Sequence, residues 1–244
     1  MKTNMEKIAA CLAIIAASSA LASAQIIETT SATAPIPGVD DIYQLVSDGS
    51  VTNNSSTAVW VDQPGQGQSF TTLSAAGGYQ LNSITIDANG TGGNGFTGNL
   101  ILDIGTYSGG VLTVTNSYTA SSGTDVSSIN GLPNNLYITF TFTTPITLAA
   151  NTTYGFAVGS TGAGLLLAQN SSSTYLGGTA FSTSPNNGLN GAISGGSANG
   201  FNRVFDVSLT VEAVPEPSTW ALMLGGLVAL VMTSRRRATR SHAK

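Results

Sequence analysis

The sequence predicts an all-β protein: an antiparallel β-sandwich of jelly-roll type, with an N-terminal signal helix and a C-terminal transmembrane helix. Three observations support this prediction. No segment between Gln25 and Val214 sustains a helical period of apolar residues. Short runs there alternate apolar and polar residues, with turns rich in Gly, Asn and Ser between them. Each end of the chain carries a short apolar stretch next to cationic residues.

Residues 1–24 are typical of a secretory signal peptide. Two lysines precede the apolar stretch Ile8–Leu21. Ala22 and Ala24 then form a small-x-small site, which predicts cleavage by signal peptidase before Gln25. An uncleaved anchor is the alternative, although the apolar stretch is shorter than the roughly 20 residues of a typical membrane span.

The only cysteine, Cys11, lies within this signal. A lipobox at Ile8–Cys11 is an alternative, but it stands at the start of the apolar stretch, whereas a lipobox normally ends one. Cleavage before Gln25 leaves a body without thiols or disulfides.

The exported body, Gln25–Ala213, is strongly acidic. It contains ten Asp and Glu residues and one basic residue, Arg203, so its net charge is about −9. Phosphate binding requires clustered cations, and nucleic acid is therefore excluded as a partner.

Residues 25–57 predict an extended arm, because Pro35 and Pro37 interrupt any regular pattern. The arm holds one candidate strand, Ile42–Val46. Residues 58–213 predict the sandwich domain, a size that allows one full core.

The first half of this domain predicts five strands. The first of them, Ala58–Asp62, contains Trp60. The broken alternation between Leu81 and Ile84 predicts a β-bulge, and a Gly-rich turn is expected at Asn89–Gly95. The four strands that follow Ala58–Asp62 are Gln68–Leu73, Tyr79–Asp87, Leu100–Ile104 and Val111–Tyr118.

The second half contains the clearest strand, Leu136–Thr143. Its apolar residues alternate with threonines, which predicts one core face and one solvent face. Pro145 is expected to end it. Gly177–Gly200 predicts a long surface loop or weak hairpin. The remaining strands are Thr153–Val158, the short apolar run Gly164–Gln169, and Val204–Val211.

The body resembles the secreted β-sandwich domains called choice-of-anchor domains. Three stretches carry the resemblance: Gln66–Thr72, Gly78–Ile84 and Ile146–Tyr154. It extends over Trp60–Val211 and implies a sandwich fold and a surface location. It implies no reaction.

The tail, residues 214–244, has three parts in series. Pro215-Glu216-Pro217 fixes an extended segment, because proline restricts its own backbone and that of its neighbour. The apolar stretch Trp220–Thr233 predicts a short membrane helix with an interfacial tryptophan. Arg235, Arg236 and Arg237 then predict a cytoplasmic stop.

This order of features resembles the PEP-CTERM sorting signal. The resemblance implies that Pro215, Glu216 and Pro217 are recognised by an exosortase, a membrane peptidase. It also implies that the tail anchors the protein transiently and is removed. The protein would then reach the cell surface or extracellular matrix.

The body offers little for catalysis. His242, in the tail, is the only histidine, and the body also lacks Lys and Cys. A Ser-His-Asp triad, a thiol nucleophile and a His-ligated zinc are therefore excluded. Carboxylate pairs leave a secreted hydrolase as a remote alternative, and the protein is predicted not to be an enzyme.

Two weaker candidate sites remain, and no cofactor is otherwise expected. Asp87, Asn89 and Thr91 place oxygens at alternate positions, as a calcium turn would, although an ordinary Asx turn explains them better. Trp60 and Tyr79 could stack on sugar rings in a carbohydrate-binding module, together with Tyr43, Tyr107 and Tyr175. The favoured explanation is that Trp60 and Tyr79 fill the core, since both lie within apolar strands.

The sequence thus favours a non-catalytic protein of the cell surface or extracellular matrix. Signal peptidase, an exosortase and the membrane are its expected partners. A jelly-roll module that binds extracellular polysaccharide, stabilised by calcium or not, is the alternative.

Overall fold

The computed structural model describes residues 26–49, 66–91, 100–120, 136–160, 165–172, 175–182, 192–193, 201–214 and 222–227. Fourteen strands lie within these ranges. In chain order they are β1 Ile26–Ser31, β2 Ile42–Gln44, β3 Gln66–Thr71, β4 Tyr79–Thr91, β5 Leu100–Ser108, β6 Val111–Thr119, β7 Leu136–Leu148, β8 Thr153–Ser160, β9 Leu165–Leu167, β10 Gln169–Asn170, β11 Ala180–Ser182, β12 Ala192–Ile193, β13 Asn202–Arg203 and β14 Phe205–Val211.

Two antiparallel sheets pack face to face. The first, here named the tail sheet, has the order β1-β7-β4-β14-β2, and β9 also pairs with β4. The second, named the opposite sheet, has the order β11-β3-β8-β5-β6-β12. β10 and β13 form a separate two-stranded ribbon. The mostly-β sandwich predicted from the sequence is confirmed.

The core lies between the two sheets and follows the alternation of the strands. Ile138, Phe140 and Phe142 of β7 are buried, as the period-2 pattern predicts. The facing side chains of the opposite sheet include Phe70 and Phe156, which are also fully buried. Apolar burial of this kind is the main stabilising term in a chain whose body has no cysteine.

The β-bulge predicted in β4 is confirmed. Against β14, the adjacent residues Ser208 and Leu209 pair with Ser83 and Leu81, so Asn82 is the extra residue of β4. Against β7 the register also shifts, but there residues 142–145 of β7 lie opposite Asn82 alone, because Ser83 pairs with Thr141 and Leu81 with Ile146. The bulge keeps Tyr79 and Leu81 in the core together with Ile84 and Ile86.

The prediction that Pro145 ends its strand is wrong, since β7 continues to Leu148. Pro145 lies in the stretch of β7 opposite the bulge, between the partners of Leu81 and Ser83. Among the described residues, the pairing of the edge strand β1 with β7 reaches Phe142 and not Pro145. Pro145 also has no partner in the described ladder with β4, so its lack of an N–H is tolerated there.

The predicted arm contains a strand that the sequence analysis missed. β1 pairs antiparallel with β7 along its whole length, from Ile26–Phe142 to Ser31–Tyr137. Glu28 lies opposite Phe140, on the core side of the sheet, and is buried. An inward-pointing carboxylate on an edge strand discourages pairing with another chain. The predicted strand at Ile42–Val46 is present in shorter form as β2.

Two predicted loops are partly strands. β4 runs to Thr91, so the turn expected at Asn89–Gly95 cannot start at Asn89. Within Gly177–Gly200, β11 pairs with β3 and buries Phe181. The Phe181 ring needs a neighbour without a side chain, because a Cβ on Gly67 would lie 2.2 Å from its Cζ. The prediction of a surface loop or weak hairpin is wrong for Ala180–Ser182, because Phe181 is a lone apolar residue among small polar ones; residues 183–191 and 194–200 lie outside the described residues. The predicted strand Ala58–Asp62 lies outside the described residues.

A polar cluster closes the interior at the start of β14. Arg203 is 0% exposed, and its guanidinium donates hydrogen bonds to the side-chain oxygens of Gln66 and Gln169. Burial lowers the pKa of Arg203 to about 9. Gln68 joins the opposite sheet to the ribbon of β10 and β13, because it donates to Asn202 Oδ1 at 2.8 Å and accepts from the Arg203 backbone N–H at 2.8 Å.

Removal of the Arg203 side chain should therefore destabilise the sandwich. Arg203→Ala leaves the side-chain oxygens of the buried Gln66 and the half-buried Gln169 without that donor and opens a cavity, so we expect a loss of about 3 kcal/mol in the free energy of unfolding. Val39→Ala is the control, because Val39 is 97% exposed. Urea unfolding followed by circular dichroism measures both; equal midpoints for the two variants would contradict the assigned role.

Candidate functional site

Most residues of the predicted sorting sites lie outside the described part of the chain. This applies to the motif Pro215, Glu216 and Pro217, to the arginines Arg235, Arg236 and Arg237, to the signal-cleavage residues Ala22 and Ala24, and to Trp60. The structure does describe where the tail leaves the sandwich.

The tail leaves from the end of β14, inside the tail sheet. After Val211, the Glu212 backbone N–H donates to the Gly78 carbonyl at 3.0 Å. The chain passes so close to this turn that a Cβ on Gly77 would lie 2.4 Å from the Glu212 carbonyl oxygen. The tail is therefore fixed against the sandwich up to Val214, the residue before Pro215.

Further along the tail, residues 222–227 form a short helix with exposed side chains. In the described parts of the chain, no helix is long and apolar enough to cross a membrane. The transmembrane helix predicted over Trp220–Thr233 extends beyond these residues and stays a prediction.

Tyr79 is not a sugar-stacking residue, and that prediction is wrong. Its side chain is 3% exposed and belongs to the main hydrophobic core. Tyr79 opens β4 on the core-facing side, between Leu148 and Val211 on the neighbouring strands. The favoured explanation, that this ring fills the core, is confirmed for Tyr79.

The residues of the calcium candidate lie in strand β4 and not in a turn. Asp87 is buried within β4, and neither of its carboxylate oxygens has a hydrogen-bond partner among the described residues. Asn89 and Thr91 follow in the same strand, although their side chains are not described. A search of the described ranges finds no group of three or more His, Cys, Asp or Glu side chains that could hold a metal.

Four buried carboxyl groups share one electrostatic feature, a raised pKa. Desolvation by burial raises the pKa of Glu28 to about 7 and that of Asp87 to about 6. Burial raises the pKa of Asp103 to about 6, although the neighbouring Ser117 side chain opposes the rise. Burial and the nearby Asp41 raise the pKa of Asp206 to about 7. These groups are enclosed within the fold and are not exposed to a substrate.

A cleft of about 470 Å³ opens at the end of the tail sheet opposite to the tail. Its position follows from the pairing of Gln44 with Phe205, the first residue of β14, since the tail follows the last residue, Val211. We name it the distal cleft. It is lined by Tyr43, Gln44, Leu45, Val46, Asn170, Ser172 and Tyr175.

The sequence analysis named Tyr43 and Tyr175 as candidate sugar-stacking residues but could not place them together. They come from segments far apart in the chain, and hydrogen bonds such as that from Asn170 to the Val46 carbonyl hold those segments together. No local pattern marks such a cleft.

One comparison with known families identifies the tail. The family described as PEP-CTERM protein-sorting motif matches residues 213–237. The match begins two residues after β14 ends and includes Pro215–Pro217 and Arg235–Arg237. No curated protein and no solved structure matches the chain.

Fold and tail together define a class: a β-sandwich protein that carries a C-terminal sorting signal. The signal is the PEP-CTERM motif, which implies export and sorting by an exosortase.

The buried carboxyl groups make stability depend on pH. Their pKa values in the folded state, about 6 to 7, lie above the ordinary 3.8 to 4.5. The unfolded chain therefore loses these protons first. The protonated carboxyl groups therefore stabilise the folded state fully below about pH 4. This stabilisation is lost as the pH rises through about 7.

We expect the urea midpoint to fall steadily between about pH 4 and pH 7.5. Asp206→Asn removes one of the titrating groups, so its midpoint should fall less over this range. Thr141→Asn, on the exposed face of the same sheet, is the control, and its urea midpoint should fall with pH as much as that of the wild type. A midpoint that rises with pH would contradict the assignment.

Proposed function

We propose that this protein is exported, held briefly at the membrane by its tail, and delivered as a non-catalytic protein to the cell surface or extracellular matrix. The observation that carries the proposal is the sorting motif at residues 213–237, placed directly after the last strand of a folded sandwich. The signal peptide predicted over residues 1–24 supports export.

The tail suits a transient anchor. Its short apolar stretch and the arginines that follow it fit a helix whose cationic end stays in the cytoplasm. The Pro-Glu-Pro segment then lies on the outer side, between this helix and the sandwich. An exosortase could reach it there without unfolding the body.

Several features support a non-catalytic role. The body sequence has no His, Lys or Cys. Asp87, Asp103 and Asp206 are buried away from solvent. A secreted hydrolase would need two carboxylates facing each other across a cleft, and the distal cleft is lined by none. We also infer a sandwich of jelly-roll type, since β3, β4 and β5 alternate between the two sheets.

The second candidate function is a carbohydrate-binding module. The observation that favours it is the distal cleft with two tyrosines in its lining, Tyr43 and Tyr175. Binding of an extracellular polysaccharide would be compatible with sorting to the surface, so the two functions do not compete.

Substitution of the motif should block the sorting step. We expect the triple variant Pro215→Ala, Glu216→Ala, Pro217→Ala to stay in the membrane fraction with its tail attached, because the exosortase loses its recognition segment. Cell fractionation and immunoblotting with an antibody against the body measure this.

Val39→Ala, an exposed change outside the tail, should be processed as the wild type is. If the triple variant reached the surface at the wild-type rate and size, the sorting proposal would be lost.

A further inference from the structure

We propose that the distal cleft binds a neutral sugar residue of a polysaccharide chain, with Tyr43 as its stacking platform. The inference deepens the second candidate function and does not depend on how the tail is processed. Four properties of the cleft lead to it.

The first property is an accessible aromatic surface. Tyr43 is 50% exposed on the outer side of β2, although its neighbours in the strand, Ile42 and Gln44, are buried. Tyr175 is held more firmly, because its ring meets Phe205 edge-on with centroids 5.4 Å apart. Tyrosine offers a large, rigid and amphipathic surface, which suits the C–H face and the hydroxyl groups of a sugar.

The second property is a rigid wall. The Gln44 side chain donates to the Val46 carbonyl and accepts from the Val46 backbone N–H, both at 2.8 Å. Asn170 also donates to the Val46 carbonyl at 2.8 Å, and its side-chain oxygen accepts from the Ser172 backbone N–H. The backbone of residues 44–46 is thus fixed to the ribbon of β10 and β13. A preorganised site loses little entropy when a ligand binds.

The third property is the charge. Apart from its tyrosines, the cleft lining has no ionisable side chain. Nearby, Asp48 accepts hydrogen bonds from the backbone and hydroxyl of Ser171. The exported body carries about −9 with a single arginine, and that arginine is buried. An anionic polymer would be repelled, so the ligand chemistry that fits is neutral.

The fourth property is size and direction. The volume of about 470 Å³ falls within the range of roughly 300–1,000 Å³ that small-ligand sites occupy. The cleft lies at the start of β14 and the tail at its end, about 20 Å away at 3.3 Å per residue. The cleft and the point where the tail leaves the sandwich therefore lie at opposite ends of β14.

The test uses the full chain in detergent micelles. It is first applied to an array of neutral glucose, galactose and mannose oligosaccharides next to alginate, a polyanionic control. The strongest neutral oligosaccharide is then titrated by calorimetry. We expect binding to neutral oligosaccharides and none to alginate.

Variants then locate the site. Tyr43→Ala should raise the Kd about five- to tenfold, the effect of one lost aromatic contact. Tyr43→Phe keeps the ring and should weaken binding less. Leu176→Ala is the matched control, since Leu176 is 95% exposed and adjacent to Tyr175 but does not line the cleft.

Three results would overturn the proposal: no neutral oligosaccharide bound, alginate bound in preference, or a wild-type Kd in Tyr43→Ala. Melting temperatures of the variants show whether each is folded. Binding is measured on the purified chain, so a failure here leaves the sorting proposal intact, and a failure of sorting leaves this result unaffected.

Discussion

The packing of the two sheets against each other is the interaction on which the rest of the structure depends. The body has no cysteine for a disulfide and only one basic residue for ion pairs, so apolar burial must supply most of its stability. Phe140 and Ile84 from the tail sheet and Phe156 from the opposite sheet belong to one buried cluster. The bulge between Leu81 and Ser83 keeps both halves of β4 in that cluster. Charged groups are enclosed by the same packing, which explains why the buried carboxyl groups have raised pKa values.

β14 connects this core with both candidate functional features. Its first residue, Phe205, pairs with Gln44 and supports the ring of Tyr175 at the distal cleft. Its last residue, Val211, leads into the clamped segment before the sorting motif. A strand in the interior of a sheet is held on both sides, by β4 and β2. The same strand therefore connects the sorting signal at one end with the proposed sugar-binding cleft at the other.

Much of the fold could be predicted because strand alternation is a local signal. Ile138, Phe140 and Phe142 show it clearly, and so does the break that marks the bulge. The failures have a different cause. β1 and β11 are short edge strands, which become strands through pairing with β7 and β3 and not through their own pattern. The effect of Pro145 was predicted wrongly because it lies in an irregular stretch of its own strand, residues 142–145, which only the pairing with β4 reveals. The tail could be read directly, since a sorting signal must be recognisable in a short segment. The distal cleft could not be predicted, because Tyr43 and Tyr175 come to line one cleft only in the folded chain.

The central claim is that the tail is a sorting signal that is removed before the sandwich acts at the cell surface or in the extracellular matrix. The most direct test is the intact mass of the protein recovered from the surface of its own cells. The account predicts a species that begins at Gln25 and lacks Arg235–Arg237, with or without an added group at its new C-terminus. A mature surface species that still carries these three arginines would contradict it.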